Sequence, residues 1–303
     1  MERLRWVPGL VAVTTVFVSW SETLYYPTDE GPWWLVWWYL PFVVVAVWLL
    51  PGRRLRWHHV ALAGWVVGAT LEGTLVPVLY ENVPGSLVYP VLGWHALVSA
   101  LVGTVAIGAT LRSERQWVLP LLASSLGVGL GAWWPLWLVD GPLTTTDVVV
   151  PITVGTVAVG LGHLVLLHVR VHRPPTWAAM TATAAIVLLA AVMTVAIPTA
   201  PLWLTLALAA PVLLLLRARR ADPGALPDLR APERSWRTLW LALVPVMAAA
   251  TWTLLDGDPT AADLLSVAQF GSGAVVGVAA VVSALRSDDV PSSAPQSSDV
   301  ASA

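Results

Sequence analysis

Three ionisable side chains fall inside long apolar segments of this sequence: Glu72, His95 and His163. Ionisable residues are costly in hydrocarbon, and there they indicate a functional site by default. A carboxylate beside an imidazole can pass protons, act as a general acid–base pair, or bind a metal if Glu22 or Glu81 adds a third ligand. The alternative is a buried ion pair that fixes the register of two helices. We predict Glu72 and His95 as the catalytic pair, and we expect His163 to bond a neighbouring carbonyl group.

The composition requires a membrane around these residues. Of 303 residues, 57% are hydrophobic and 11% are charged, and the mean hydropathy is +0.74. A soluble domain carries about 25% charged residues. The composition therefore excludes a soluble globular enzyme, a nucleic-acid-binding protein and a disordered chain, and it predicts an all-α integral membrane protein whose main partner is the lipid bilayer.

Two residue types are missing, and their absence limits the chemistry. All 16 basic residues are arginine, so no lysine can hold retinal or pyridoxal phosphate. The chain has no cysteine, which excludes disulfides, thiolate metal sites and iron–sulfur clusters. We predict neither a cofactor nor a metal. We expect four further histidines to lie at the membrane interface rather than to bind haem or metal: His58, His59, His168 and His172.

Apolar runs long enough to span a bilayer, about 20 residues each, predict about ten transmembrane helices. They cover 4–21, 33–50, 59–79, 91–111, 117–139, 150–171, 177–197, 200–217, 237–255 and 264–285. Pro198 and Pro201 separate the seventh and eighth runs, and two prolines favour a tight hairpin over one long helix. The sequence thus predicts one polytopic domain over residues 1–286 and a disordered cytoplasmic tail over 287–303, which is rich in Ser, Pro and Asp.

The arginines orient this bundle. All 16 lie at the N-terminus, in even-numbered connections between the predicted helices, or just after the last helix. The odd-numbered connections carry acidic residues instead. The positive-inside rule therefore predicts that both termini are cytoplasmic and that the outer face is acidic. We expect a multi-pass protein of a prokaryotic plasma membrane.

The predicted pair occupies two adjacent antiparallel helices. Glu72 lies about 12 Å below the outer end of the third predicted helix, and His95 lies about 8 Å deep in the fourth. Glu72 shares a face with Gly64 and Gly68, whereas His95 shares a face with Ser99, Gly103 and Ala106. Because Pro77 has no N–H, the carbonyl of Gly73 requires another donor or a cation. These features predict a polar seam in the outer leaflet.

Residues around the mouth of this seam are the predicted substrate contacts. The connection after Tyr80 carries Glu81, and the segment from Ser21 to Pro27 can lean over the same mouth. The predicted substrate-binding residues are Glu22, Tyr25, Tyr26, Tyr80, Glu81 and Trp94.

Glycines recur four residues apart in three helices, which is the spacing that lets helix backbones approach closely. The pairs are Gly64 and Gly68, Gly127 and Gly131, and Gly273 and Gly277. They predict three helix-packing seams.

Three classes of function fit these observations. The first is a membrane-embedded enzyme that acts on a lipid or lipid-linked substrate at the outer leaflet, where a lipid or small-molecule ligand is the expected partner. The second is a secondary transporter of a small solute, although the two halves of the chain share no residue pattern. The third is a scaffold or assembly factor without turnover. The sequence contains no Walker, His-Glu-x-x-His or Gly-x-Ser-x-Gly motif that would decide among them.

Overall fold

The computed structural model describes residues 4–25, 32–140, 143–256 and 258–287, which form helices and their connections without a β-strand. In chain order the helices are α1 (Val7–Val18), α2 (Pro32–Leu49), α3 (Trp57–Glu72), α4 (Leu87–Ala106 and Ile107–Arg112), α5 (Val118–Trp133), α6 (Thr145–His168), α7 (Thr176–Ala196), α8 (Ala200–Ala221), α9 (Leu243–Leu255) and α10 (Thr260–Ser287). A π-helical turn, Ser19–Thr23, extends α1. There are also three 3₁₀ segments: Pro77–Tyr80 lies before α4, Trp134–Asp140 follows α5, and Pro232–Ala242 leads into α9.

Seven of the helices in the described part of the chain are long and apolar enough to cross a membrane. They are α4 to α10, where α5 and α9 include their 3₁₀ extensions, and the apolar helix α2 is somewhat shorter. The helices α7 to α10 expose many large apolar side chains, among them Leu188, Val195, Leu254 and Val267. Such surfaces are typical of lipid-facing helices, and the architecture is that of a multi-pass membrane protein.

The helix boundaries differ from the predicted spans at one important place. The predicted hairpin between α7 and α8 is confirmed, since α7 ends at Ala196 and α8 begins at Ala200. The third predicted helix was expected to continue to residue 79, but α3 ends at Glu72. Pro77 explains the early end, because the residue before a proline disfavours the helical conformation and Val76 is extended. Of the predicted tail, Ser287 belongs to α10 and residues 288–303 lie outside the described residues.

The most buried of the seven candidate spans, α4, packs along both α3 and α10, while α5 packs along α9 and α1 along α6. The three predicted glycine seams are confirmed. Gly64 and Gly68 face α4, and Gly273 and Gly277 face the N-terminal half of α4 from α10. The third seam joins Gly127 and Gly131 of α5 to α9.

The connections that carry the arginines meet at one end of the bundle. The segment 222–231, which we call the strap, crosses this end between α8 and the 3₁₀ segment Pro232–Ala242. Its Asp222 carbonyl accepts a hydrogen bond from the backbone N–H of Gly52 at 2.8 Å, and its Pro223 carbonyl accepts one from Arg173 at 2.8 Å. At the other end, Glu22, Glu72 and Glu81 line one cavity. The basic and acidic connections therefore occupy opposite ends of the helices.

Candidate functional site

The structure brings Glu72 and His95 into direct contact. Glu72 is the last residue of α3, and its Oε1 lies 2.9 Å from Nε2 of His95 in α4. The two residues are 8% and 1% exposed, so the contact is shielded from solvent. A carboxylate and an imidazole at this distance can share or exchange a proton.

The second ring nitrogen of His95 continues the network toward α1. Its Nδ1 lies 3.2 Å from the hydroxyl of Ser21, which in turn lies 2.8 Å from the hydroxyl of Ser99. The indole N–H of Trp94 donates to the Ser21 carbonyl at 2.6 Å and fixes this turn against α4. Both imidazole nitrogens are thus engaged, which defines the orientation of the ring.

Packing holds the imidazole plane from two sides. The ring of Phe17 stacks on it with the centroids 6.0 Å apart and the planes inclined by 3°. On another side Gly68 approaches so closely that a Cβ there would lie 2.8 Å from Cδ2 of His95. The predicted glycine seam therefore makes room for the catalytic candidate itself.

The helix that carries His95 has a wider turn than the sequence suggested. The segment Leu87–Ala106 of α4 is π-helical, as is the turn that carries Ser21. His95, Ser99 and Gly103 share the buried face as predicted, but the next buried residue is Ile107 rather than Ala106. The wider winding explains this correction, because it keeps residues four and five apart on one face. Single π-helical turns such as Ser19–Thr23 occur frequently at functional sites.

Pro77 leaves the carbonyl of Gly73 without its helical hydrogen-bond donor, and a side chain replaces that donor. The hydroxyl of Tyr80 donates to this carbonyl at 2.7 Å. This bond ties the 3₁₀ segment before α4 to the end of α3, next to Glu72. Tyr80, one of the predicted substrate contacts, therefore shapes the connection and does not line the cavity described next.

A cavity of about 510 Å³ opens beside Glu72, and we call it the acidic cavity. Three carboxylate residues line it together with Asn82, Tyr89 and Phe270: Glu22, Glu72 and Glu81. Glu81 and Asn82 are exposed at its mouth, and Phe270 contributes an exposed apolar side chain. The mouth therefore joins a polar loop to an apolar surface, an arrangement that suits a molecule with a polar head and an apolar tail.

The two inner carboxylates of the acidic cavity have different partners. Glu72 has an imidazole, which can carry positive charge, whereas Oε1 of Glu22 accepts a hydrogen bond from the neutral hydroxyl of Tyr39. Only Oε1 of Glu72 is hydrogen-bonded within the described residues. Carboxylates whose environments differ in this way can take separate acid and base roles in one site.

The structure separates the predicted substrate contacts into groups. Glu22 and Glu81 line the acidic cavity, whereas Tyr25 and Trp94 are buried beside it in an aromatic cluster with Trp133. Tyr26 lies outside the described residues. Sequence reasoning missed Tyr39 and Tyr89 as contributors; the signal for Tyr39 was its position as the one hydroxyl-bearing side chain of the apolar helix α2.

Glu72 and His95 have no third metal ligand beside them in the described part of the chain. No group of three histidine or acidic side chains there is placed to hold a metal ion, so Glu22 and Glu81 do not complete a site with Glu72 and His95. The expectation for His163 is confirmed, because its Nε2 donates to the carbonyl of Gly103 at 2.9 Å.

Comparison with known protein families, with curated proteins and with solved structures finds no match to this chain.

Proposed function

We propose that this protein is a membrane-embedded acid–base enzyme that acts on a lipid or lipid-linked substrate at the outer leaflet. Glu72 exchanges a proton with the substrate head group in the acidic cavity, and His95 is the proton partner behind it. One observation carries the proposal: Glu72 lines a cavity that reaches the surface and bonds a buried histidine at 2.9 Å. Ser21 and Ser99 hold the imidazole in place from its other nitrogen.

This proposal includes the membrane topology. All ten helices cross the bilayer in it, the strap and both chain termini face the cytoplasm, and the acidic cavity opens outward. The opposite placement of basic and acidic connections supports this orientation, because positively charged loops stay on the cytoplasmic side of the plasma membrane.

Neutralising Glu72 provides the test. The Glu72→Gln variant keeps the size of the side chain but cannot accept a proton, so turnover should fall by about 10²- to 10⁴-fold. The measurement is mass spectrometry of lipids and lipid-linked molecules from cells whose own copy of the protein is replaced by each variant. A species consumed in wild-type cells should accumulate with Glu72→Gln.

The Asp263→Asn variant is the matched control, because it removes an exposed carboxylate at the start of α10, outside the acidic cavity. It should leave the lipid profile of wild type unchanged. Identical profiles for wild type and Glu72→Gln, with both proteins present in the membrane, would contradict the enzymatic role.

A second candidate function, a proton-coupled carrier, rests on a different observation. Phe17 stacks on His95 and also lines an apolar cavity of about 160 Å³ that extends to the strap. Contacts therefore run from Glu72 of the acidic cavity through His95 to Phe17 of this cavity, and in a carrier these side chains would form a closed gate. Protein in liposomes that contain a pH-sensitive dye distinguishes the two functions: substrate-dependent proton uptake supports the carrier, whereas chemical conversion without proton movement supports the enzyme.

A further inference from the structure

A third cavity, at the arginine-bearing end, has no role in the acid–base site. Its volume is about 710 Å³, and we call it the basic cavity. Four basic side chains line it: Arg5, Arg170, His172 and Arg173. None of its lining residues in the described chain is acidic. Trp6 and Trp177 meet edge to face at 6.2 Å in its wall.

Most of the arginine charge in the basic cavity has no ion-pair partner within the described residues. Arg173 donates to the carbonyls of Pro223 and Leu50, but the side chains of Arg5 and His172 make no hydrogen bond or ion pair within the described residues. Arg170 has only a long bond, 3.4 Å, to the Leu226 carbonyl. The basic cavity therefore presents cationic groups that an anion can bind.

Two acidic residues of the strap lie near these charges, and each also has a partner outside the basic cavity. The carboxylate of Asp222, which attracts Arg173, accepts a hydrogen bond from the backbone N–H of Arg54 at 2.6 Å. Asp228 of the strap is held by Arg230, whose hydrogen bonds lower the pKa of Asp228 to about 2. Partial burial, followed by the nearby guanidinium groups of Arg5, Arg170 and Arg230, lowers the pKa of His172. The lowered pKa favours the neutral imidazole, so the cationic groups of the basic cavity are its three arginines, Arg5, Arg170 and Arg173.

An apolar space adjoins the basic cavity. Val171 and Leu226 line both the basic cavity and the 160 Å³ apolar cavity, so the two cavities meet at these residues. Along α3 the apolar cavity reaches from Val60 to Val67, about 10 Å at 1.5 Å per residue. Arg112, which also lines it, forms no ion pair within the described residues.

We propose that the basic cavity binds the phosphate of an anionic phospholipid and that a short segment of one of its acyl chains enters the adjoining apolar cavity, whose volume of about 160 Å³ admits only part of a chain. The unneutralised guanidinium groups recognise the phosphate, since arginine clusters between helices at the cytoplasmic face bind anionic head groups. The adjoining apolar cavity and the tryptophans favour a lipid over a free phosphate ion, because a free ion would use neither. This site is independent of the acid–base site and lies at the opposite end of the bundle.

Lipid binding to the purified full-length protein tests this inference. Native mass spectrometry in neutral detergent compares phosphatidylglycerol, phosphatidylcholine with the same chains, and inorganic phosphate. Phosphatidylglycerol should bind at least about tenfold more tightly than phosphatidylcholine. The double variant Arg5→Gln/Arg170→Gln should lose about tenfold or more of that affinity.

Two further variants serve as the controls. Arg115→Gln/Arg286→Gln removes two exposed arginines outside the basic cavity and should retain wild-type affinity. Ala46→Leu fills part of the apolar cavity, which Ala46 lines, and should weaken binding of long-chain but not of short-chain phosphatidylglycerol. Thermal melting without lipid checks that each variant is folded.

Three results would overturn the inference. The first is equal loss of affinity in the two double arginine variants, which would indicate a general charge effect. The second is equal binding of phosphatidylcholine. The third is inorganic phosphate competing at the concentration at which the lipid binds, which would make free phosphate the ligand.

Discussion

The His95→Leu variant should lose about 3 kcal/mol of unfolding free energy, because it leaves the Glu72 carboxylate buried without its partner. Breaking a buried pair from one side costs about 3–5 kcal/mol, and the contact of Glu72 with the acidic cavity favours the lower end of that range. The measurement is chemical unfolding in detergent followed by tryptophan fluorescence.

A second substitution shows whether the stranded charge causes this loss. The double variant Glu72→Met/His95→Leu replaces both partners by apolar side chains of similar size and should recover most of the lost stability. If the double variant is as unstable as His95→Leu, the loss comes from packing against Phe17 and Gly68 and not from the unpaired carboxylate.

The Gly131→Ala variant should lose about 2–3 kcal/mol through overpacking of the seam between α5 and α9. A Cβ at this position would lie 2.3 Å from the carbonyl oxygen of Ala248, and a backbone atom cannot rotate away as a side chain can. The helices would have to separate along their length. The same unfolding assay in detergent measures the loss.

Gly129 provides a matched control on the same helix. No atom lies within 4 Å of a Cβ built there, so Gly129→Ala should be neutral or stabilise α5 by up to about 1 kcal/mol. Similar losses at both positions would show that the close contact at Gly131 does not decide the stability of the seam.

Much of this fold follows from apolar run length and proline position. Each predicted apolar run contains a helix of the described chain, and seven of these helices are long and apolar enough to cross a membrane. Pro198 and Pro201 predicted the break between α7 and α8. The Glu72–His95 contact could also be predicted from the sequence, because adjacent antiparallel helices place residues of similar depth side by side. Their roles in catalysis stay a prediction.

The rest of the site depends on geometry that residue spacing does not encode. The π-helical winding of α4 changes which residues share a face, and helix-period reasoning assumes α-helical turns. The early end of α3 places Glu72 at a helix terminus, beside the cavity. Tyr39 reaches Glu22 from α2 only through the tertiary packing of two helices.

The strap has a consequence for how the chain assembles during synthesis. It accepts hydrogen bonds from the backbone N–H groups of Gly52 and Arg54, which follow α2, and from the side chain of Arg173, which precedes α7. Its Ala231 N–H donates to the carbonyl of Leu167 in α6. All of these partners are made before the strap leaves the ribosome, since chains are synthesised from the N-terminus. The ends of the earlier helices that contact the strap therefore lack these hydrogen bonds until residue 231 has emerged. Translation of the strap is the moment at which that end of the bundle can first lock.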